Sequence, residues 1–270
     1  LSAINWGVVQ TALIAIVASP MLAFTVAFLA MLGLSRLQRR LRVPDDAKAF
    51  KGLQLLSAAA VSFGHGANDA QKTMGIIAAV LLAGGYITLQ PDGNLHIGWW
   101  IPFLAYSAIA IGTVWGGWKI IETMGLRITS LRASSGLAAN IGAVTAIFGA
   151  TGMGIPISTT HAAASSVTGS GVASGQGVNL RVVMEMVAAW VITIPSTVII
   201  GWLMYQLTQL PGAAAWIAVG SVLFVLGGWI AWAMARALHA SDVAAEIPTE
   251  TELHEPVSAI PHIEDHAPVQ

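Results

Sequence analysis

From Ala213 to Ala235 the chain runs without one charged side chain, and Ile4–Leu34, Ile101–Trp118 and Val182–Leu207 carry a single charge between them, Glu185. A hydrocarbon core of roughly 30 Å takes about 20 helical residues at 1.5 Å each, so these runs are membrane-spanning helices. Their apolar residues are continuous instead of alternating, which argues against a β-barrel. Composition agrees: 56% of the residues are hydrophobic and 9% charged, against about 25% charged in soluble domains. The chain therefore reads as an all-α, multi-pass protein of the cytoplasmic membrane. With no cysteine, disulfides and thiolate metal sites are excluded. Every Lys and Arg lies at or before Arg236, while seven of the thirteen acids follow it. A nucleic-acid partner has no basic footprint here.

Charge also orients the spans. Ile4–Leu34 is interrupted by Ser19-Pro20, where the helix is expected to break, and Arg36 to Lys51 then carries six basic residues. Positive charge after the apolar run, not before it, marks a spanning helix with a cytoplasmic C-terminal end and not a secretory signal. Gly52 to Tyr86 returns across the bilayer, Thr88 to Gly98 reads as an external turn, and Trp99 and Trp100 sit at the interface. Lys119, Arg127 and Arg132 bring the next loop back inside. Leu137–Ala150 and Ala162–Val172 are too short to span, and are expected to form a re-entrant hairpin with its tip at residues 151–161. Val182–Leu207 and Ala213–Ala235 follow as two spans. Residues 1–238 form the membrane domain, and 239–270 an acidic, disordered cytoplasmic tail.

Two polar stretches interrupt this apolar background. The first, Ser62 to Gly75, places His65, Asn68, Asp69, Gln71 and Lys72 where a span should be most apolar. Ionisable groups at that depth cost a few kcal/mol and face a bundle interior or an aqueous cavity. Gly64 and Gly66 predict a broken helix, with Asn68 and Asp69 lining a pocket and Asp69 a candidate for a coupling ion. Lys72 either attracts an anion directly or pairs with Asp69, and Gln71 either donates to an oxyanion or bonds a neighbouring helix. The second stretch is Pro156-Ile157-Ser158-Thr159-Thr160-His161. A hydroxyl cluster that caps a new helix presents free N–H groups and a positive dipole end, an arrangement suited to an anion. His161 is either a hydrogen-bonded structural residue or a carrier of a co-transported proton. Glu185 is expected to pair with Arg181 one helical turn before it.

At these two regions, Gly64-His65-Gly66-Ala67-Asn68-Asp69-Ala70-Gln71-Lys72-Thr73-Met74-Gly75 and Pro156-Ile157-Ser158-Thr159-Thr160-His161, the sequence resembles the PiT family of inorganic phosphate transporters. The resemblance covers nearly everything but the acidic tail. It implies one half of a pair of inverted repeats, with a broken helix and a re-entrant hairpin plus further spanning helices, and inorganic phosphate held between the halves. On that resemblance Asn68, Asp69, Gln71, Lys72, Ser158, Thr159 and Thr160 bind substrate, while Asp69 and His161 serve ion coupling. No resident cofactor or metal is implied. The coupling ion is a proton or sodium, the D-A-Q-K-T-M-G form resembling the proton-coupled branch that accepts metal–phosphate complexes. Asn140 stands where relatives often carry an acid.

Only one copy of each motif is present, the form of the C-terminal repeat, and the chain begins with Leu1. It is therefore expected to be part of a longer product, or to pair with a second subunit that supplies the N-terminal half. A second copy of the chain is a further candidate partner. Three other readings compete: a sulfate permease, since the same donors suit any tetrahedral oxyanion; an intramembrane metal-dependent enzyme using His65, Asp69 and His161; and an inactive half-transporter. No H-E-x-x-H or G-x-S-x-G motif favours the enzyme.

Overall fold

The computed structural model describes residues 6–236 apart from 46, 91–94 and 96. The tail and its expected disorder lie outside the described residues. The described residues fold into eight α-helices: α1 (Trp6–Leu41), α2 (Lys48–Ala83), α3 (Trp100–Gly116), α4 (Trp118–Glu122), α5 (Ala133–Gly152), α6 (Thr159–Ser174), α7 (Leu180–Thr208) and α8 (Ala213–Ala235). One π turn, Thr123–Arg127, continues α4. By length and composition α1, α5, α7 and α8 can each cross a membrane, and α3 with α4, bent by 62° around Gly117, makes a fifth candidate.

Three expectations change. First, α1 passes through Pro20 without a break. Proline removes one backbone donor, a loss that spanning helices tolerate when neighbouring helices cover the site. Second, α2 is continuous from Lys48 to Ala83, so the expected break at Gly64 and Gly66 does not occur. Gly64 serves close packing instead: a Cβ there would lie 2.7 Å from the Phe148 ring of α5. Third, α5 is 20 residues long, not a piece too short to span. It and α6 still form a helical hairpin, whose connection spans residues 153–158.

Small residues set how closely these helices approach. The buried residues of α1, Ala15, Ser19, Ala23, Ala27 and Met31, recur every four positions and form a seam of mostly small side chains. The apolar cluster of Ala15 and Ala23 continues into Ala143, Ala146, Ile147 and Ala150 of α5 and Ala162 of α6. Helices in lipid gain little from hydrophobic burial against each other and rely on such close packing. At Gly142 a Cβ would meet the Ala27 methyl at 2.7 Å, and at Gly169 it would meet the backbone of Phe24. The contacts Gln54–Asn140 and Asn68–Thr151 show α2 running parallel to α5. At the end carrying the basic loop, Asp45 accepts from Gln38 of α1 and from the Ser134 N–H of α5. α7 joins the core at one end, where Val182 is buried with Ala139 of α5 and Ala164 and Val167 of α6, whereas no residue of α8 is buried. Their exposed faces are apolar, as lipid-facing helices require.

Replacing Gly142 with valine is expected to destabilise the α1–α5 contact by about 1–3 kcal/mol through overpacking. A lowered unfolding temperature in detergent checks this, with Gly149→Val, which has open space around it, as the comparison expected to be milder.

Candidate functional site

Asp69 lies 21 positions after Lys48 and 14 before Ala83, so it sits about 32 Å and 21 Å along α2 from the two ends. There it meets the tip of the α5–α6 hairpin. Lys72, three residues on and therefore on the same face, donates from Nζ to Asp69 Oδ1 at 2.9 Å and to the Ile157 carbonyl at 2.7 Å. Thr159 Oγ1 donates to Asp69 Oδ2 at 3.0 Å. Both carboxylate oxygens thus accept, and the ammonium, with three protons, retains one beyond these two bonds.

The hairpin tip is organised as the hydroxyl cluster requires. Ser158 is extended (φ −88°, ψ 112°) and its Oγ accepts from the His161 N–H at 3.3 Å, capping α6. Thr159 and Thr160 begin the helix, so their N–H groups have no intrahelical acceptor. Residues Asp69, Lys72, Ser158, Thr159 and Thr160 line one cavity of about 410 Å³, with Ala12, Ile16, Pro156 and Ile157. The helix start supplies positive potential there, and Lys72 offsets the Asp69 charge.

The other residues singled out in the sequence are elsewhere. Gln71 is exposed and outside the cavity lining. Two positions beyond Asp69 on an unbroken helix, it lies about 200° around the axis. Asn68 is buried between α2 and α5, where its Nδ2 donates to Thr151 Oγ1 at 3.0 Å and its Oδ1 has no partner. His161 points to α7 and stacks on Trp190, with ring centroids 3.9 Å apart. That separates His161 from His65 and Asp69. Among the described residues no three His, Asp or Glu side chains are grouped to hold a metal ion. Asn140 ties α5 to α2 by donating to Ser57 Oγ at 3.0 Å. Arg181 pairs with Glu185 at 3.1 Å as expected.

Three participants were not evident in the sequence. The Ile157 carbonyl has no side-chain signature, and α1 carries no polar motif at Ala12 and Ile16. Pro20, having no N–H, also leaves the Ile16 carbonyl without its usual intrahelical donor. His65, four residues before Asp69 and on the same face of α2, has its Nδ1 2.8 Å from Thr159 Oγ1 and 3.4 Å from Asp69 Oδ2.

Apolar spanning helices around a charged, hydroxyl-lined cavity at a helix start define a multi-pass membrane protein with a pocket suited to an oxyanion. The chain belongs to the phosphate transporter family, whose model matches residues 1–201. It is 41% identical over 206 residues to a probable low-affinity inorganic phosphate transporter of Rhizobium meliloti, covering 76% of this chain and 60% of the relative. A protein of the same description from Bacillus subtilis is 36% identical over 192 residues, covering 71% and 56%. The chain thus spans somewhat over half the length of these relatives. A solved structure described as the sodium-dependent phosphate transporter shares the fold, with a TM-score of 0.54 and 24% identity over 82% of this chain and 68% of that one. Membership is in a family of transporters and not of enzymes.

Thr159→Val removes a hydroxyl that meets both His65 and Asp69, leaving a part-buried acceptor unpaired. The expected cost is about 1–3 kcal/mol, read as a lower unfolding temperature, with Thr159→Ser recovering most of it.

Proposed function

We propose that this chain forms one repeat half of a secondary active transporter of inorganic phosphate. The observation that carries the reading is the convergence of the Ser158–Thr160 helix start with Lys72 and Asp69 on one cavity. Phosphate oxygens accept from the Thr159 and Thr160 N–H groups, the hydroxyls and the remaining Lys72 proton. Asp69 accepts the proton that hydrogen phosphate carries and sulfate lacks, which favours phosphate over sulfate. Asn68 and Gln71 belong to this reading only indirectly: Asn68 holds α2 against α5 behind the cavity, and Gln71 faces away.

Coupling to a proton is favoured over sodium by the Lys72 ammonium, which sits 2.9 Å from Asp69 Oδ1. Lys72 Nζ and Thr159 Oγ1 already engage the carboxylate oxygens that sodium, stripped of water, would need as ligands. Sodium dependence is stated of the structural neighbour. A divalent metal–phosphate complex, carrying less net negative charge, is a substrate of the same class. The complete site needs the other repeat, from a longer chain or a partner subunit, and access alternates as one repeat rocks against the other.

The test is uptake of labelled phosphate by proteoliposomes containing the full-length gene product under an imposed pH gradient. Uptake driven by the gradient, competed by arsenate and reduced at least about tenfold by Asp69→Asn is expected, tenfold being about 1.4 kcal/mol. Uptake of neither phosphate nor sulfate would overturn the reading.

A further inference from the structure

Thr159 lines a second cavity besides the one it shares with Asp69 and Lys72. This second space, about 550 Å³, lies between the hairpin and the α3–α4 bend, and His65 lines it together with Ser62, Thr113, Gly117, Thr159 and Thr160. His65 and Thr159 therefore stand as a partition. On one side are Asp69, Lys72 and the helix start; on the other is a mostly apolar space bordered by the bend.

The hydrogen bonds across this partition fix the proton on the imidazole. Thr159 has one hydroxyl proton, and it is given to Asp69 Oδ2 at 3.0 Å. Its oxygen must then accept at 2.8 Å from His65 Nδ1–H. The neutral ring consequently keeps its Nε2 lone pair as a free base. The charged groups around the ring are few. Asp69 and Lys72 lie on its own helix and sum to zero. Among the described residues no titratable side chain of α3, α4 or α6 lines the second cavity; Glu122 is engaged with Arg127 and Lys119, and His161 is turned to Trp190. α5 contributes Ile147 and α1 contributes Ala12 and Ile16, none titratable.

We infer that His65 is the site where the coupling proton binds, taken up from the second cavity. This rests on the reading of the first cavity as the phosphate site. A proton gained at Nε2 makes the ring an imidazolium, with Nδ1–H still held by Thr159 and the carboxylate 3.4 Å away. The local sum of His65, Asp69 and Lys72 then rises from zero to plus one, next to where the anion binds. Each ligand strengthens the other's binding by the same factor, so proton and phosphate load together. Uptake forms one N–H bond at Nε2 as an O–H bond of a hydronium ion breaks, leaving water; when the anion leaves, that N–H bond breaks and the proton returns to water.

The experiment counts protons taken up per phosphate bound by the purified full-length gene product in weakly buffered detergent solution at pH 7.5. The unaltered protein is expected to take up more protons per phosphate than His65→Gln does; phosphate's own ionisation enters both counts equally. In parallel, nitrogen NMR of histidine-labelled unaltered protein is expected to show the imidazolium fraction of His65 rising when phosphate is added. Equal proton uptake by His65→Gln, or an imidazolium fraction unmoved by phosphate, would overturn the inference while leaving the transport reading in place. Absence of phosphate binding by the unaltered protein would overturn that reading and this inference with it.

Discussion

The ion pair between Lys72 and Asp69 is the contact on which the centre of this structure depends. Either charge alone, about 20 Å or more from both ends of α2, would be costly in a bilayer, whereas the pair is neutral as a unit. The same ammonium also reaches the Ile157 carbonyl and so fastens the hairpin tip to α2. One lysine thus balances a carboxylate and positions the start of α6. Net charge near zero then leaves the cavity's sign to be set by the helix start and by whatever proton the neighbouring imidazole holds.

That arrangement needs helices that approach closely. The small-residue seam of α1 places Ala12 and Ile16 against the α6 start, while Gly142 and Gly169 let α1 settle onto α5 and α6. Asn140 and Asn68 act as polar ties between the parallel α2 and α5. Beyond the exposed Arg181–Glu185 pair, α7 and α8 expose mainly apolar side chains. The glycine-bordered bend between α3 and α4 lies beside the second cavity.

Much of this was legible in the residues. Long chargeless runs gave the spanning helices, and the Ser158-Thr159-Thr160 cluster after Pro156 marked a capped helix start, because capping is a local property of adjacent residues. The glycines of α2 misled for the opposite reason: Gly64 answers to the Phe148 ring, a partner 84 positions away. Likewise Pro20 suggested a break that tertiary packing overrides. Gln71 and His161 sit within the motifs but face elsewhere, since membership of a motif does not fix which side of a helix a residue takes. Once α2 is continuous, the helical repeat itself turns Gln71 away from Asp69. His65 is placed partly by spacing, four residues before Asp69 on the same helix face, and partly by a hydrogen bond to Thr159 across 94 positions, which spacing within one motif could not reveal.

The most direct test of the central claim is the position of a bound oxyanion. Crystals of the full-length gene product grown with arsenate, measured at the arsenic absorption edge, would locate it. The account predicts an anomalous peak in the cavity of Asp69 and Lys72, within hydrogen-bonding distance of the Thr159 and Thr160 N–H groups. A peak confined to the basic loop from Arg36 to Lys51, with that cavity empty, would contradict it.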